Sequence, residues 1–189
     1  VEFFGLASHA AGAPQDGINA LKAANIAMMA MDSQRESFED KDKVRVHGIL
    51  TAGGTSVNSI PSIAKLEWRV RGRTIDVVNK INIKIDRSIK AGAMAMGAKV
   101  RIRSIAGNLP MLQNKHMNNI YLNNAENIVG KNNVVLHPDD QSGGSTDMGD
   151  LSQILPIIHP RSGGAEGTGH GNNYFIKDYE KSVINPAKA

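Results

Sequence analysis

The stretch Ala64-Lys65-Leu66-Glu67-Trp68-Arg69-Val70-Arg71 alternates strictly, with Ala64, Leu66, Trp68 and Val70 on one face and Lys65, Glu67, Arg69 and Arg71 on the other. Alternation of period two is the pattern of a strand with one face buried and one face wet. Downstream, Ile75, Val78, Ile81, Ile85 and Ile89 recur at spacings of 3, 3, 4 and 4, which is one face of a helix, and Gly97 is its stop. Lys99 to Ile105 alternates again and predicts a last strand. Upstream, residues 43–51 read as a strand and Gly53-Gly54 as a break. Ile18, Leu21, Ala24, Met28 and Met31 predict an earlier helix, with Asp16 as its N-cap and the Met28, Met29, Met31 stripe in the core. Residues 1–8, through Val1, Phe3, Phe4 and Leu6, read as a first strand, and residues 9–17 are rich in turn formers.

The resulting order is β-α-β-β-α-β, the split βαβ or ferredoxin-like α+β arrangement, with two helices on one sheet face. It occupies residues 1–108, and Asn108-Leu109-Pro110 reads as the exit. Residues 109–189 are less periodic. A helix is expected over 114–130, a short strand over Asn133–His137, and a Gly-rich turn from Gln141 to Asp147 leading into a helical stretch up to Leu155. One more strand is expected at Ile157-Ile158, then a loop from Arg161 to Asn173 with five glycines. A segment of this length hardly buries a good core alone. It reads as an incomplete α/β segment whose other strands lie elsewhere.

Composition narrows the classes. The chain has 189 residues, of which 41% are hydrophobic, an ordinary value for a folded protein. No run approaches the ~18 apolar residues of a membrane span, so no membrane partner is expected. The absence of cysteine excludes disulfides, thiolate metal sites and cysteine catalysis. A net charge of +4, evenly spread, does not argue for nucleic acid. An RNA-binding sheet would show outward aromatics, whereas the outward residues of the 64–71 strand are Lys, Glu, Arg and Arg. The chain opens at Val1 in strand-like sequence with no initiator Met, as expected of a piece of something longer.

Six histidines are candidates for chemistry. His9 ends the first strand beside a Gly/Ala-rich loop, well placed to reach outward to a ligand. His170 lies in Gly167-Thr168-Gly169-His170-Gly171, where little bulk blocks the imidazole, which suits a metal ligand or a proton-transfer group. His137-Pro138-Asp139 has the His-x-Asp form used by zinc enzymes but no second ligand cluster nearby, and is read as a decoy. His47 is read as structural, and Asp147 as a helix N-cap. Gly143-Gly144-Ser145-Thr146-Asp147 is not a P-loop, since no Gly-Lys-Ser/Thr follows.

Several segments together resemble the M20 family of metal-dependent peptidases and amidohydrolases, specifically the aminoacylase/carboxypeptidase-like branch that includes p-aminobenzoyl-glutamate hydrolase. They are the run from Gly5 to Leu21, Gly53 to Pro61, Glu67 to Arg71, Ser145 to Asp150, and Gly169-His170-Gly171. Five segments in register span nearly the whole chain. The resemblance implies a ferredoxin-like lid, or dimerisation domain, at residues 1–108 and the C-terminal portion of a zinc-binding α/β catalytic domain at 109–189. The family's His-x-Asp motif, bridging Asp and catalytic Glu-Glu pair would lie outside this chain.

The resemblance also assigns roles. His9 matches the lid histidine that reaches into the site of the other protomer and polarises the scissile carbonyl. Asn58 matches a substrate-binding asparagine. Arg71, thirteen positions later, matches the arginine that clamps the substrate carboxylate, a role its planar fork suits. His170 matches a metal ligand, and Gly143 and Gly144 match glycines lining the pocket. The expected protein is a homodimeric, cytoplasmic amidohydrolase using two Zn2+ ions on an N-acyl amino acid or aminobenzoyl-glutamate-like substrate, with this chain alone inactive. The residues after the metal histidine, Gly171-Asn172-Asn173-Tyr174-Phe175, depart from the peptidase branches and leave the substrate open. The alternative is a stand-alone oligomerisation or binding module of the same fold.

Overall fold

The computed structural model describes residues 1–135 and 146–189. They divide into a unit from Val1 to Pro110 and a second unit that begins at Met111. In the first unit, β1 (Glu2–Phe4) is followed by α1 (Ala20–Ser33), β2 (Arg45–Ala52), β3 (Ile63–Arg71), α2 (Ile75–Ala95) and β4 (Lys99–Arg101). The four strands form one sheet in the order β2-β3-β1-β4, every neighbouring pair antiparallel. The chain order is the β-α-β-β-α-β read from the alternation of 64–71 and its flanks, and the class is mixed helix and sheet.

One face of this sheet is buried. Phe3, Ala64 and Leu66 from the strands meet Ala20, Ala23, Ala24, Ala27 and Met31 of α1 and Ile81, Ile85, Ile89 and Ala93 of α2. Each fully buried large side chain contributes about 1.5–3 kcal/mol relative to exposure. The two helices touch through small residues: a Cβ at Gly92 would sit 2.5 Å from the Ala23 carbonyl oxygen and 2.5 Å from the Ala27 nitrogen. The alanine face of α1 and the glycine of α2 therefore let the two backbones approach, and the isoleucines of α2 fill the space down to the sheet.

Caps set the helix ends. Asn19, not Asp16, is the N-cap of α1, its Oδ1 accepting the Lys22 amide at 2.9 Å. Asp16 instead closes a short 3-10 turn that starts at Pro14, and the fixed φ of proline suits such a turn start. The Thr74 hydroxyl caps α2 by accepting from the Val77 amide at 3.3 Å. Gly97, at φ 67°, turns the chain out of α2. The methionine stripe is only partly in the core, because consecutive positions on a helix point apart. Met31 is buried, Met28 half-buried, and Met29 is 70% exposed.

The first and last strands in the chain are shorter than the alternation suggested. β1 ends at Phe4, with a single further bridge from Leu6 to Ile18. β4 ends at Arg101 rather than Ile105, because its only neighbour, β1, offers three residues to pair with. β2 is an edge strand of eight residues.

The second unit contains α3 (Lys115–Val129), α4 (Met148–Leu151), β5 (Ala165–Glu166), β6 (Phe175–Ile176) and α5 (Asn185–Lys188). Asn114 caps α3 by accepting the Met117 amide at 3.0 Å. The helical stretch expected up to Leu155 stops at Leu151 and continues as turns. The strand expected at Ile157-Ile158 is a single parallel bridge between Gln113 and Ile157. The glycine-rich loop carries a small hairpin, β5 against β6. Of the strand expected over Asn133–His137, Val134 and Val135 have no strand pairing, and Leu136 and His137 lie outside the described residues. Among the described residues of this unit only Gly149, Ser152 and Ile157 are buried, while Ile154, Leu155, Tyr174 and Phe175 are exposed. Among the described residues no helix is long and apolar enough to cross a membrane.

Candidate functional site

Residues 8–10 run antiparallel beside residues 58–60. The Ala10 amide donates to the Asn58 carbonyl at 2.9 Å, the Ile60 amide donates to the Ser8 carbonyl at 2.8 Å, and His9 bridges Ser59. Positions 9 and 58 are thus held on adjacent backbone segments, just before the chain enters β3 at Ile63.

His9 is exposed, and its ring is fixed from behind. Its Nδ1 accepts the backbone amides of Gly12 at 2.9 Å and Ala11 at 3.2 Å. Two donors on Nδ1 place the neutral ring's proton on Nε2. The imidazole therefore presents an N–H donor outward, the group needed to stabilise negative charge on a carbonyl oxygen. Asn58 is also exposed; its Oδ1 accepts the Ser56 hydroxyl, which leaves the amide NH2 as the donating end.

Arg71 stands elsewhere. It is the last residue of β3, half-buried, on the sheet face opposite the helices and directly across from Arg45 of β2. Eight residues of extended strand separate it from Ile63, about 26 Å at about 3.3 Å per residue. His9 and Asn58 lie beyond the Ile63 end. Within one chain the imidazole and the guanidinium cannot reach one small molecule. Arg45 was not singled out from the sequence, although an antiparallel β2–β3 pair joined at Ala52–Ile63 necessarily sets the first residue of β2 against the last of β3.

His170 belongs to the second unit, between β5 and β6. It is exposed and adopts a left-handed backbone, φ 65°, in the turn where the Gly171 amide donates to the Thr168 carbonyl at 2.7 Å. Left-handed backbone is uncommon for a non-glycine residue, though histidine is enriched there. Gly143 and Gly144 lie outside the described residues, as does His137-Pro138-Asp139. His47 sits on the open sheet face opposite Arg69 and is exposed. Asp147 does cap α4, accepting from the Met148 amide at 3.1 Å.

A structural or catalytic metal takes three or four protein donors. Among the described residues no group of three or more His, Asp or Glu stands close enough to share an ion. His170 alone does not make a metal centre, and the described donors do not fit one.

Comparison with known proteins gives the class. Residues 1–95 match the peptidase dimerisation domain of the M20 family. The chain is 33% identical over 165 residues to the Xaa-Arg dipeptidase of Mus musculus, covering 85% of this chain and 37% of that protein. It is 40% identical over 102 residues to the indole-3-acetyl-aspartic acid hydrolase of Enterobacter agglomerans, covering 53% of this chain and 23% of that one. A putative aminohydrolase from methicillin-resistant Staphylococcus aureus has the same fold, with a TM-score of 0.67 at 16% identity over 82% of this chain and 40% of its own. The chain belongs to the M20 family of peptidases and amidohydrolases. It spans little more than a third of the Xaa-Arg dipeptidase's length.

Proposed function

We propose that this chain is the lid, or dimerisation domain, and the C-terminal catalytic portion of a homodimeric amidohydrolase that cleaves the amide bond of an N-acyl amino acid. The observation that carries the reading is the outward Nε2–H of His9, locked by two backbone amides on Nδ1, in a chain whose residues 1–95 match the family's dimerisation domain. His9 donates to the scissile carbonyl oxygen as charge develops on it. Asn58 orients the substrate from the adjacent segment, and Arg71 takes its carboxylate bidentately. His170 would supply one donor to a divalent metal, zinc, in the intact enzyme, and the remaining donors would come from beyond the described residues.

The separation of Arg71 from His9 decides how these roles combine. β2 is the longer of the two sheet edges and carries no proline or lysine to blunt it, whereas the other edge, β4, is three residues with Lys99 and Arg101 at its ends. Bare edge backbone is a template for pairing. Ile49, 62% exposed, and Leu50, 41% exposed, lie on β2. A two-fold pairing of β2 with its copy is antiparallel by symmetry. It carries the Arg71 end of one sheet to the same side as the His9 end of the other. Each site then takes Arg71 from its own chain and His9 with Asn58 from the partner.

This reading expects the purified 189-residue chain to dimerise in sedimentation equilibrium and to show no zinc-dependent hydrolysis of N-acyl amino acids. Measurable zinc-dependent turnover by the chain overturns the assignment of the base and metal donors to other sequence. A stand-alone binding module is favoured instead if the coding sequence upstream of Val1 holds no His-x-Asp and no Glu-Glu pair.

A further inference from the structure

Residues 7–17 form a loop closed at its base, where Leu6 and Ile18 exchange both backbone hydrogen bonds, each 2.9 Å. His9 stands near its start, and the amides of Ala11 and Gly12 that hold its Nδ1 come from further along. No residue of the loop is buried. A segment without core packing keeps its shape through hydrogen bonds and opens easily when they are lost. The aim of the Gly12 amide therefore depends on what anchors the far side of the loop.

Ser8 supplies that anchor. Its carbonyl accepts the Ile60 amide at 2.8 Å, which ties its backbone to the segment entering β3. Its hydroxyl crosses the loop and donates to the Ala13 carbonyl. Ala13 is the next residue after Gly12, and its amide donates to the His9 carbonyl at 3.1 Å. Its carbonyl also accepts the Asp16 amide at 3.2 Å, at the turn that Pro14 begins. The Ser8 side chain is itself confined by Gly17, where an added Cβ would lie 3.0 Å from the Ser8 Cβ. One hydroxyl thus links the fixed side of the loop to the residue beside the Gly12 donor.

We propose that Ser8 is a positioning residue that acts through Ala13 and Gly12 to keep the neutral His9 ring in its Nε2–H tautomer. The inference rests on the role given above to His9 and adds the residue that sets its donor outward. Nδ1 stays a bare acceptor only while the Gly12 amide points at it. With Ala13 released from Ser8, that amide wanders, and a ring proton on Nδ1 is no longer opposed. The Nδ1–H tautomer turns a lone pair outward at Nε2. A lone pair repels the developing oxyanion that a donor would hold.

The test is long-range proton–nitrogen NMR of the histidine rings in this chain, at a pH above the ordinary histidine range. His9→Gln identifies the His9 signals among the six histidines. In the native chain the Nδ1–H form is expected at about a tenth of the neutral ring or less, and Ser8→Ala is expected to raise that fraction about threefold or more. Ser8→Cys keeps the bulk of the side chain but donates only weakly, and should shift the ratio in the same direction. The Ile60 amide, held by the Ser8 backbone, should keep its protection from hydrogen exchange in both variants. Comparable tautomers in the native chain, an unchanged ratio in Ser8→Ala, or a native ratio in Ser8→Cys overturns the inference. So does a shift that comes with lost Ile60 protection, since Ser8 would then hold the segment rather than the ring. The tautomer is read without turnover, so an inactive parent enzyme leaves the result standing. A Ser8-dependent tautomer in a parent enzyme whose kcat ignores His9→Ala rejects the hydrolase role of His9 and keeps the part played by Ser8.

Discussion

The Nδ1 of His9 accepts the amide of Gly12 at 2.9 Å, so the turn that follows the first strand holds the imidazole by its back and aims its Nε2–H away from the chain. On the function proposed above, His9→Ala in the intact protein removes an oxyanion donor. Such losses lower kcat by about 10²–10³. The expected result is that fall with KM little changed, and an unaltered melting temperature, because the Ala11 and Gly12 amides are exposed and pass to water. Steady-state kinetics and a thermal melt check both halves.

Gly48 of β2 faces Trp68 of β3, and the indole fills the place of a side chain there: a Cβ at position 48 would lie 2.2 Å from Trp68 Cε3 and 2.3 Å from the Glu67 carbonyl oxygen. Gly48→Ala must displace either a ring that packs against the core or strand backbone. Overpacking of this kind costs about 1–3 kcal/mol. A lowered denaturation midpoint, with a shift in the fluorescence of Trp68, the chain's one tryptophan, is the expected readout.

Gly92→Ala separates two opposing effects. Alanine in a helix interior is favoured over glycine by about 1 kcal/mol, but the new methyl would meet α1 backbone at 2.5 Å. Helix backbone cannot step aside as a flexible side chain can, so the clash wins and the variant is less stable in urea.

Glu2 sets an acid dependence. The hydrogen bond from Lys65, followed by the charges of Lys65 and Arg101, holds its carboxyl below the usual glutamate range. A carboxylate lowered in the folded state adds stability above its unfolded pKa and loses it as pH falls through the folded value. The chain is therefore expected to lose part of its stability as pH drops below the ordinary glutamate range near about 4. Glu2→Gln should flatten that limb of a stability-versus-pH curve measured by urea melts, and should do little at neutral pH beyond removing the pair itself.

Ile49→Lys puts a charge in the middle of the bare β2 edge, the device by which sheet edges resist pairing. The dimer dissociation constant is expected to rise about tenfold or more in sedimentation equilibrium, with the monomer's fold intact by circular dichroism.

Much of the first unit was legible because its elements each bury one face. The strict alternation of 64–71 and the isoleucine stripe of α2 report a single buried surface, and both lie where the pattern put them. The errors came where local preference met a tertiary partner. Asp16 resembles an N-cap, yet Pro14 draws it into a turn and Asn19 takes the role. Lys99 to Ile105 alternates well, yet a three-residue β1 gives it nothing to pair with past Arg101. His9, Asn58 and Arg71 could be matched to family roles one at a time, but the reach between them depends on the length of β3 and on which strands pair, and linear spacing does not report that. The second unit was hard to read for a physical reason: with few buried residues and elements of two to five residues around α3, little periodicity is imposed on its sequence.

In the proposed assembly one site draws Arg71 from one chain and His9 from the other. It is tested by mixing two inactive variants of the parent enzyme, His9→Ala and Arg71→Ala, under conditions that let protomers exchange. In a mixed dimer one site then joins a native Arg71 to a native His9, so activity should recover to about a quarter of the native value when exchange is complete in this two-fold assembly. If His9 and Arg71 serve the same site from the same chain, every mixed site carries a lesion, and an exchanged mixture that stays as inactive as its parents rules out a site shared between the two chains.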